Sequence, residues 1–216
     1  MFRPIIFNSE MVKAILDGRK TQTRRLVKPQ PVFEEGEHGI PVRCDDESFV
    51  FQIMPYECIY EQGRIPPCLS GDVIWVRETW RYVKLKHPTG KAIPVEFKPY
   101  EYNYRADGDI FDQDGSPVKW KPAIHMPKEA ARIFLKVKGV RMEQLQGISA
   151  ADIRAEGLSS MCAFVGDMEI ALPEWRNLWN STLKKADLEK YGWDANPWVW
   201  VIEFERCDEP KGWYTR

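Results

Sequence analysis

The chain lacks the features that mark several large classes of protein. No apolar run approaches the length needed to cross a bilayer, and the N-terminus has no signal-peptide pattern. The 31 basic and 32 acidic residues leave a net charge of -1, which argues against a protein that coats nucleic acid through bulk positive charge. Internal repeats are not visible. We therefore expect a soluble, cytoplasmic protein that does not contact a membrane.

Cysteines are few and show no pattern. The five cysteines are widely spaced and contain no C-x-x-C pair, whereas a disulfide framework normally uses an even number and zinc ligands sit two to four residues apart. We expect reduced thiols, no metal and no cofactor. By contrast, apolar residues make up 44% of the chain and nine are tryptophan, which is ample material for a packed core.

Hydrophobic spacing predicts a strand, a helix and a second strand near the N-terminus. The strand covers 4–7 and the helix runs from Ser9 to Asp17, with Asn8 or Ser9 as its cap and Gly18 at its C-terminal turn. The second strand covers 21–27 and stops at the prolines that follow.

The remainder alternates between irregular and periodic stretches. Residues 28–70 and 82–127 lack sustained periodicity and are interpreted as insertions. The periodic stretches are a strand over 73–80, one over 100–104, one over 131–141, a short helix capped by Ser149 and ended by Gly157, a helix opened by Pro173, and a central strand over 198–204. Many strands with few, short helices indicate an α+β, mainly β domain spanning 1–216, with helical decoration on a β-barrel.

The segment from Gly18 to Arg25 contains the first candidate chemistry. On a strand, Thr21, Thr23 and Arg25 share one face, and Lys20 sits at the junction with the helix. A threonine hydroxyl is a poor nucleophile alone, and a lysine with a lowered pKa is one base that activates it. The alternative is a solvated edge strand whose charges discourage aggregation.

Glu156 is the second candidate. It follows the helix capped by Ser149, with Asp152 one turn earlier on the same face. A carboxylate there either pairs with Lys20 and takes part in proton transfer, or is an ordinary solvated acid on a helix surface.

Three further residues are candidates for substrate binding. Arg77 and Trp80, near the end of one strand, are suited to hold a phosphate and stack a base, or else form a surface ion pair beside a core tryptophan. His125 is either an acid–base group or a structural histidine.

Together these segments resemble the ASCH family of PUA-like β-barrels. The resemblance lies in the Gly18-Arg19-Lys20-Thr21-Gln22-Thr23-Arg24-Arg25 motif, the Gly71-Asp72 turn with its strand, the helix over 148–158 and the closing strand over 198–204. These pieces cover about half of the chain in the family's order. The chain looks like the longer ASCH proteins of phages and prophages, and we expect it to form a PUA-like β-barrel with short flanking helices and two long insertions.

The resemblance implies a fold and an activity. PUA-like barrels bind RNA or modified nucleobases in a cleft beside the barrel, and some small ASCH proteins are amidohydrolases that remove the acyl group from N4-acetylcytidine. By motif, the lysine, threonine and glutamate of those enzymes fall on Lys20, Thr23 and Glu156. The expected substrate-binding residues are Arg19, Thr21, Arg25, Arg77, Trp80 and His125. This chain is about twice as long as the small enzymes, so its insertions can reshape the cleft.

Three hypotheses remain at this point. The first is an amidohydrolase acting on an N4-acylated cytosine nucleoside or a similar amide. The second is a non-catalytic module that binds RNA or a modified base, with a ribonuclease as its variant. The third is a barrel whose insertions bind a protein partner, for which the sequence offers only the length of those insertions.

Overall fold

The computed structural model describes residues 2–33, 38–54, 58–84, 100–108, 110, 118–158 and 168–213. In these residues ten strands form three sheets and the helices are short, so the fold is mixed α+β and dominated by sheet. No helix in the described ranges combines the length and apolar character needed to cross a membrane.

The largest sheet has five strands in the order β1-β6-β9-β10-β2. Its strands are β1 (Phe2–Ile6), β2 (Gln22–Leu26), β6 (Val73–Arg77), β9 (Phe134–Gln144) and β10 (Trp198–Cys207). A three-stranded sheet contains β3 (His38–Arg43), β4 (Phe49–Met54) and β5 (Cys58–Arg64), and a two-stranded ribbon contains β7 (Trp80–Lys84) and β8 (Tyr100–Tyr104).

The helices pack around the five-stranded sheet. They are α1 (Ser9–Leu16), α2 (Ala150–Ala155), α3 (Met168–Ser181) and α4 (Leu188–Tyr191). Helix α1 begins where the Asn8 side chain accepts a hydrogen bond from the Met11 amide, and it ends at Gly18, whose φ of 75° is the left-handed conformation that favours glycine. Both ends agree with the sequence prediction.

Residues 199–202 of strand β10 are buried on both faces, as the apolar sequence of that stretch predicts. Trp200, Ile202 and Phe204 face one side, in a hydrophobic cluster with Phe7 that we call the Phe7 cluster. Val199 and Val201 face the other side, in a cluster with Trp175 and Trp179 of α3 that we call the Trp175 cluster. The sheet is therefore a central layer between two cores.

The two edge strands of this sheet approach each other. β1 is parallel to β6, and β6, β9, β10 and β2 then alternate in direction, so β1 and β2 run antiparallel to one another. In the described part of the chain they share no ladder of backbone hydrogen bonds; instead Arg25 Nη2 donates to the Ile6 carbonyl at 2.8 Å. The sheet curls without closing.

The predicted strand over 73–80 is wrong in its second half. β6 ends at Arg77, and β7 begins at Trp80 in a different sheet. Between them Glu78 is 1% exposed and accepts two hydrogen bonds from the Arg132 guanidinium, at 2.9 and 3.0 Å. This paired, buried carboxylate marks the break between the strands, and alternation alone does not reveal it.

The predicted helix start at Pro173 is also wrong. α3 begins at Met168, so Pro173 lies inside it. A proline within a helix costs about 3 kcal/mol because it removes a hydrogen bond and crowds the preceding turn. Ala171, Trp175 and Trp179 are buried in the Trp175 cluster, and this packing offsets that cost.

The first predicted insertion contributes to the core. Phe49 and Phe51 of β4 pack edge-on against Trp200 and Trp198, with ring centroids 5.2 and 5.0 Å apart. The second predicted insertion, 82–127, contains the β7–β8 ribbon and a 3₁₀ turn at Ala123–His125. Residues 85–99, 109 and 111–117 of that insertion lie outside the described residues.

Candidate functional site

The turn between α1 and β2 fixes the position of Lys20. The amides of Arg19 and Lys20 both donate to the Ala14 carbonyl, at 2.8 and 3.0 Å, which reverses the chain after Gly18. Lys20 then forms an isolated antiparallel bridge with Glu156, and the Thr21 amide donates to the Ala155 carbonyl at 2.8 Å. The C-terminus of α2 is thus tied to the start of β2.

Lys20 and Glu156, 136 positions apart in the sequence, form a buried ion pair. Lys20 Nζ lies 2.7 Å from Glu156 Oε2 and 2.9 Å from the Glu156 carbonyl oxygen, and the two residues are 2% and 4% exposed. Nζ also lies 5.6 Å from the centroid of the Phe7 ring. Burial lowers the pKa of Lys20 even though Glu156 opposes the shift. Such a lysine is easier to deprotonate than one in water.

Arg24 is the second partner of Glu156, although it is not among the site residues predicted from the sequence. Its Nη1 lies 3.1 Å from Glu156 Oε1, while Nη2 lies 2.6 Å from Glu143 Oε1 and 3.5 Å from Asp152 Oδ2. The guanidinium lies 5.8 Å from the Trp175 ring centroid. The sequence indicates this role only through the presence of an arginine, which stays charged, four residues after Lys20. Glu156 is therefore held by two cations, one from each end of this short segment.

Asp152 organises the same end of α2. Its carboxylate accepts from the Ser149 amide and hydroxyl in a capping box, as the sequence predicts, and also from Gln22 Nε2 at 2.9 Å and Arg141 Nη2 at 2.9 Å. Burial acts to raise its pKa, but the hydrogen bonds from Ser149 and Gln22 and the charge of Arg24 hold that pKa well below its usual range. Asp152 stays ionised and anchors α2 to β2.

Thr23 lies in the middle of β2 on the side of the Phe7 cluster. Its neighbour across the ladder is Ile202, a member of that cluster, and Thr23 itself is 3% exposed. Thr21 is exposed, so the two threonines of the motif differ in burial.

A cleft of about 520 Å³ opens between the two edge strands, and we call it the β1–β2 cleft. Arg25 lines it, donating to the Ile6 carbonyl with its guanidinium 5.2 Å from the Phe7 ring centroid. Ile202 also lines it, so the cleft opens on the side of the sheet that Thr23 faces, although Thr23 itself is not among the lining residues. Its lining residues are Arg3, Pro4, Ile5, Ile6, Arg25, Leu26, Lys28, Ile65, Pro67, Cys68, Ile74, Trp200 and Ile202.

The other predicted binding residues are dispersed. Arg19 is exposed and held by Asp17 and by the Gly157 carbonyl, at 2.9 and 2.7 Å. Arg77 Nη1 donates to the Ile124 carbonyl at 3.3 Å, and its guanidinium lies 4.9 Å from the Trp75 ring centroid.

Trp80 and His125 belong to the region that Arg77 reaches. Trp80 is 4% exposed and packs with Tyr104 and Met126, whereas His125 is exposed on its 3₁₀ turn. Neither contacts Lys20, Thr23 or Glu156 in the described part of the chain. The structure thus brings together Lys20, Glu156 and Arg25 around Phe7, and it places Arg77, Trp80 and His125 elsewhere.

The described residues contain no group of three or more His, Cys, Asp or Glu side chains positioned to hold a metal ion. Cys44, Cys68 and Cys207 are free thiols.

Comparison with known proteins adds one distant likeness. No protein-family model and no curated protein matches the chain. The crystal structure of protein EF3133 from Enterococcus faecalis V583, of the family described as DUF984, is similar to this chain at 12% sequence identity and a TM-score of 0.39. The match covers 98% of this chain and 84% of that chain, and at this TM-score it carries no argument about activity.

Proposed function

We propose that this protein has the PUA-like barrel of the ASCH family in an open form, and that it removes the acyl group from an N4-acylated cytosine nucleoside or a similar amide. The observation that carries the proposal is the Lys20–Glu156 pair at 2.7 Å, away from water and three residues from Thr23. A buried lysine three residues from a threonine in the sequence supplies the two groups that this kind of nucleophilic catalysis needs. The open, curled five-stranded sheet supports the fold part of the proposal.

The reaction assigns one role to each of the three residues. The Thr23 oxygen attacks the acyl carbon while its proton passes to neutral Lys20 Nζ. The tetrahedral intermediate then collapses, the bond between the acyl carbon and N4 breaks, and Lys20 returns the proton to the leaving amine. Water hydrolyses the acyl-threonine ester by the same route, releasing the carboxylic acid. Glu156 orients Lys20 throughout.

Lys20 must be neutral to accept the proton of Thr23, and its burial favours the neutral form. The pKa of Lys20 is lowered by its burial and further by the nearby charges of Arg25 and Arg24, while Glu156 opposes the change. A base whose pKa lies closer to neutral pH holds more of its neutral form. Arg25 lines the cleft two residues from Thr23, and we assign to it the contact with the substrate's carbonyl oxygen.

The experiment is a hydrolysis assay of N4-acetylcytidine with purified protein, read by chromatography of cytidine. Thr23→Val keeps the shape of the side chain and removes the hydroxyl, so it should lower turnover by about 10²-fold or more. Thr23→Ser restores a hydroxyl and should recover part of the rate. Thr182→Val is the control, because the Thr182 hydroxyl donates to the Trp179 carbonyl at the end of α3, far from β2 in the chain.

The amidohydrolase proposal is wrong for this substrate if the wild-type protein leaves N4-acetylcytidine intact at high enzyme concentration. It is also wrong if Thr23→Val and Thr182→Val retain the same turnover. Melting temperatures measured in parallel separate a lost hydroxyl from a lost fold.

A second candidate is non-catalytic binding of RNA or a modified base. The observation that favours it is the lining of the β1–β2 cleft, which in the described residues contains Arg3, Arg25 and Lys28 and no carboxylate. Binding that releases counterions weakens with salt in proportion to the phosphates contacted. Salt-dependent binding of an oligonucleotide, unchanged in Thr23→Val and without turnover, would favour this candidate over the first.

A further inference from the structure

The cations of the β1–β2 cleft are distributed between its two ends. Arg25 lies at one end, where its guanidinium reaches the Ile6 carbonyl. Arg3 is three residues before Ile6 on β1, and Lys28 is three residues after Arg25. Because the two walls run antiparallel, these two steps lead in the same direction. At about 3.3 Å per residue, Arg3 and Lys28 lie roughly 10 Å from the Arg25–Ile6 contact, on opposite walls.

We propose that the Arg3–Lys28 end of the β1–β2 cleft binds a phosphate group, so that the ligand is a phosphorylated nucleoside and not a free one. The proposal rests on the proposed function for the base, which would lie at the Arg25 end near Thr23. The separation of the two ends corresponds to the extent of a nucleotide from base to phosphate. The cleft volume of about 520 Å³ is within the ordinary range for one small ligand.

The two outer cations are held in position by their surroundings. Arg3 Nη1 donates to the Pro67 carbonyl at 2.8 Å, and Lys28 Nζ lies 5.3 Å from the Tyr191 ring centroid. Asp72, whose charge interacts with that of Arg3, is not among the residues that line the cleft. Tyr191 does not line the cleft, so a phosphate between the two walls would meet Arg3 on one wall and draw the exposed Lys28 ammonium from Tyr191 on the other. Arginine binds such an oxyanion in a bidentate manner and lysine binds it as a point charge.

The test is isothermal titration calorimetry at low ionic strength with cytidine, cytidine 5′-monophosphate and a short oligocytidylate. The wild-type protein should bind the monophosphate at least tenfold more tightly than cytidine, since a hydrogen bond between charged groups contributes about tenfold or more. The Arg3→Met/Lys28→Met double variant should lose that difference while binding cytidine as before. The matched control is Lys13→Met/Lys138→Met, which removes two exposed cations that do not line the cleft.

Tight binding of both the monophosphate and the oligonucleotide, lost in the double variant, supports the site. Their relative affinity then tells whether a free nucleotide or RNA supplies the phosphate. Equal affinity of the wild-type protein for cytidine and its monophosphate overturns the proposal. An equal loss of monophosphate affinity in the control variant also overturns it, and so does a wild-type protein that binds none of the three ligands.

The phosphate site and the proposed activity fail separately. If the monophosphate binds through Arg3 and Lys28 but no acylated cytidine is hydrolysed, the phosphate site stands and the amidohydrolase does not. If N4-acetylcytidine and its 5′-monophosphate are hydrolysed with equal kcat/KM in wild type and in the double variant, the activity stands and the phosphate site does not.

Discussion

Glu156→Gln removes a negative charge while keeping the size of the side chain, so it measures what the buried carboxylate does for folding. In the folded chain that carboxylate contacts Lys20 Nζ at 2.7 Å and Arg24 Nη1 at 3.1 Å, and its side chain is 2% exposed. An arginine does not lose its proton in a protein. The variant therefore leaves the Arg24 guanidinium facing an uncharged amide where water does not reach.

The expected loss of stability follows from that burial. Removing one partner of a buried ion pair costs about 3–5 kcal/mol. In a domain of this size 1 kcal/mol lowers Tm by about 2–4 °C, so the variant should melt roughly 6–20 °C lower. Glu143→Gln is the matched control: it removes a carboxylate 2.6 Å from the same guanidinium, but its side chain is 21% exposed. Water replaces that contact in part, and the expected cost is about 1 kcal/mol.

The measurement is urea unfolding followed by tryptophan fluorescence at pH 7, with thermal melts alongside. Adding Lys20→Met to Glu156→Gln should cost less than Lys20→Met alone, because the second change removes a charge left without its partner. The reasoning fails if Glu156→Gln destabilises the protein no more than Glu143→Gln. It also fails if the double variant loses as much unfolding free energy as Lys20→Met and Glu156→Gln lose together.

Three further outcomes are expected. Gly157→Ala should cost about 2–4 kcal/mol in urea unfolding, because Gly157 has a φ of 89° and an added Cβ would lie 2.8 Å from Ala14 Cβ and 2.9 Å from Lys20 Cβ. Gly147→Ala, with nothing within 4 Å, should cost less than 1 kcal/mol, and equal costs would contradict the crowding. The unfolded chain binds the Lys20 proton more tightly than the folded chain, because the folded pKa is lowered. The unfolding free energy of wild type should therefore rise relative to that of Lys20→Met as pH increases towards 10.5. Urea titrations in which the two proteins show the same pH dependence would refute this. Burial raises the pKa of Cys68 to about 11, so iodoacetamide at pH 8, followed by peptide mass spectrometry, should modify it about a hundredfold more slowly than a thiol of ordinary pKa. Equal labelling of Cys68 and the free thiol Cys44 would count against this.

The sequence predicts best where one local interaction decides the structure. The Asn8 cap and Gly18 of α1, and the capping box of α2, depend on residues within one turn of each other, and all are present as expected. The burial of residues 199–202 of β10 on both faces follows from their composition, because an apolar stretch without a polar face has no side suited to water.

Long-range pairs account for the errors and the omissions. The break after Arg77 accompanies the pairing of Glu78 with Arg132, which is 54 positions away in the sequence, and alternation in 73–80 carries no trace of it. The early start of α3 depends on burial of Ala171 against the far side of the sheet. Both features are properties of the packed molecule.

The candidate site shows the same division. The pairing of Lys20 with Glu156 was available as a hypothesis because both residues fall on the family motif, and the structure places them in contact. The ion pairs of Arg24 could not be predicted from the sequence. Its partners Glu143 and Glu156 come from β9 and from the end of α2, and no local spacing connects them with Arg24. The sequence likewise does not reveal that Arg3 and Lys28 line one cleft, because this depends on the antiparallel directions of β1 and β2 in the fold.

The pairing of β2 with β10 has a consequence for how the chain is made. The strand at the site pairs with a strand that is synthesised much later; Gln30 and Trp198, which share hydrogen bonds beside this ladder, are 168 residues apart. At about 5–20 residues per second, β2 waits on the order of ten to thirty seconds on the ribosome for its partner. Lys20 and Thr23 thus reach their final surroundings only after β10 has been translated, and truncation before β10 would leave β2 without its partner strand.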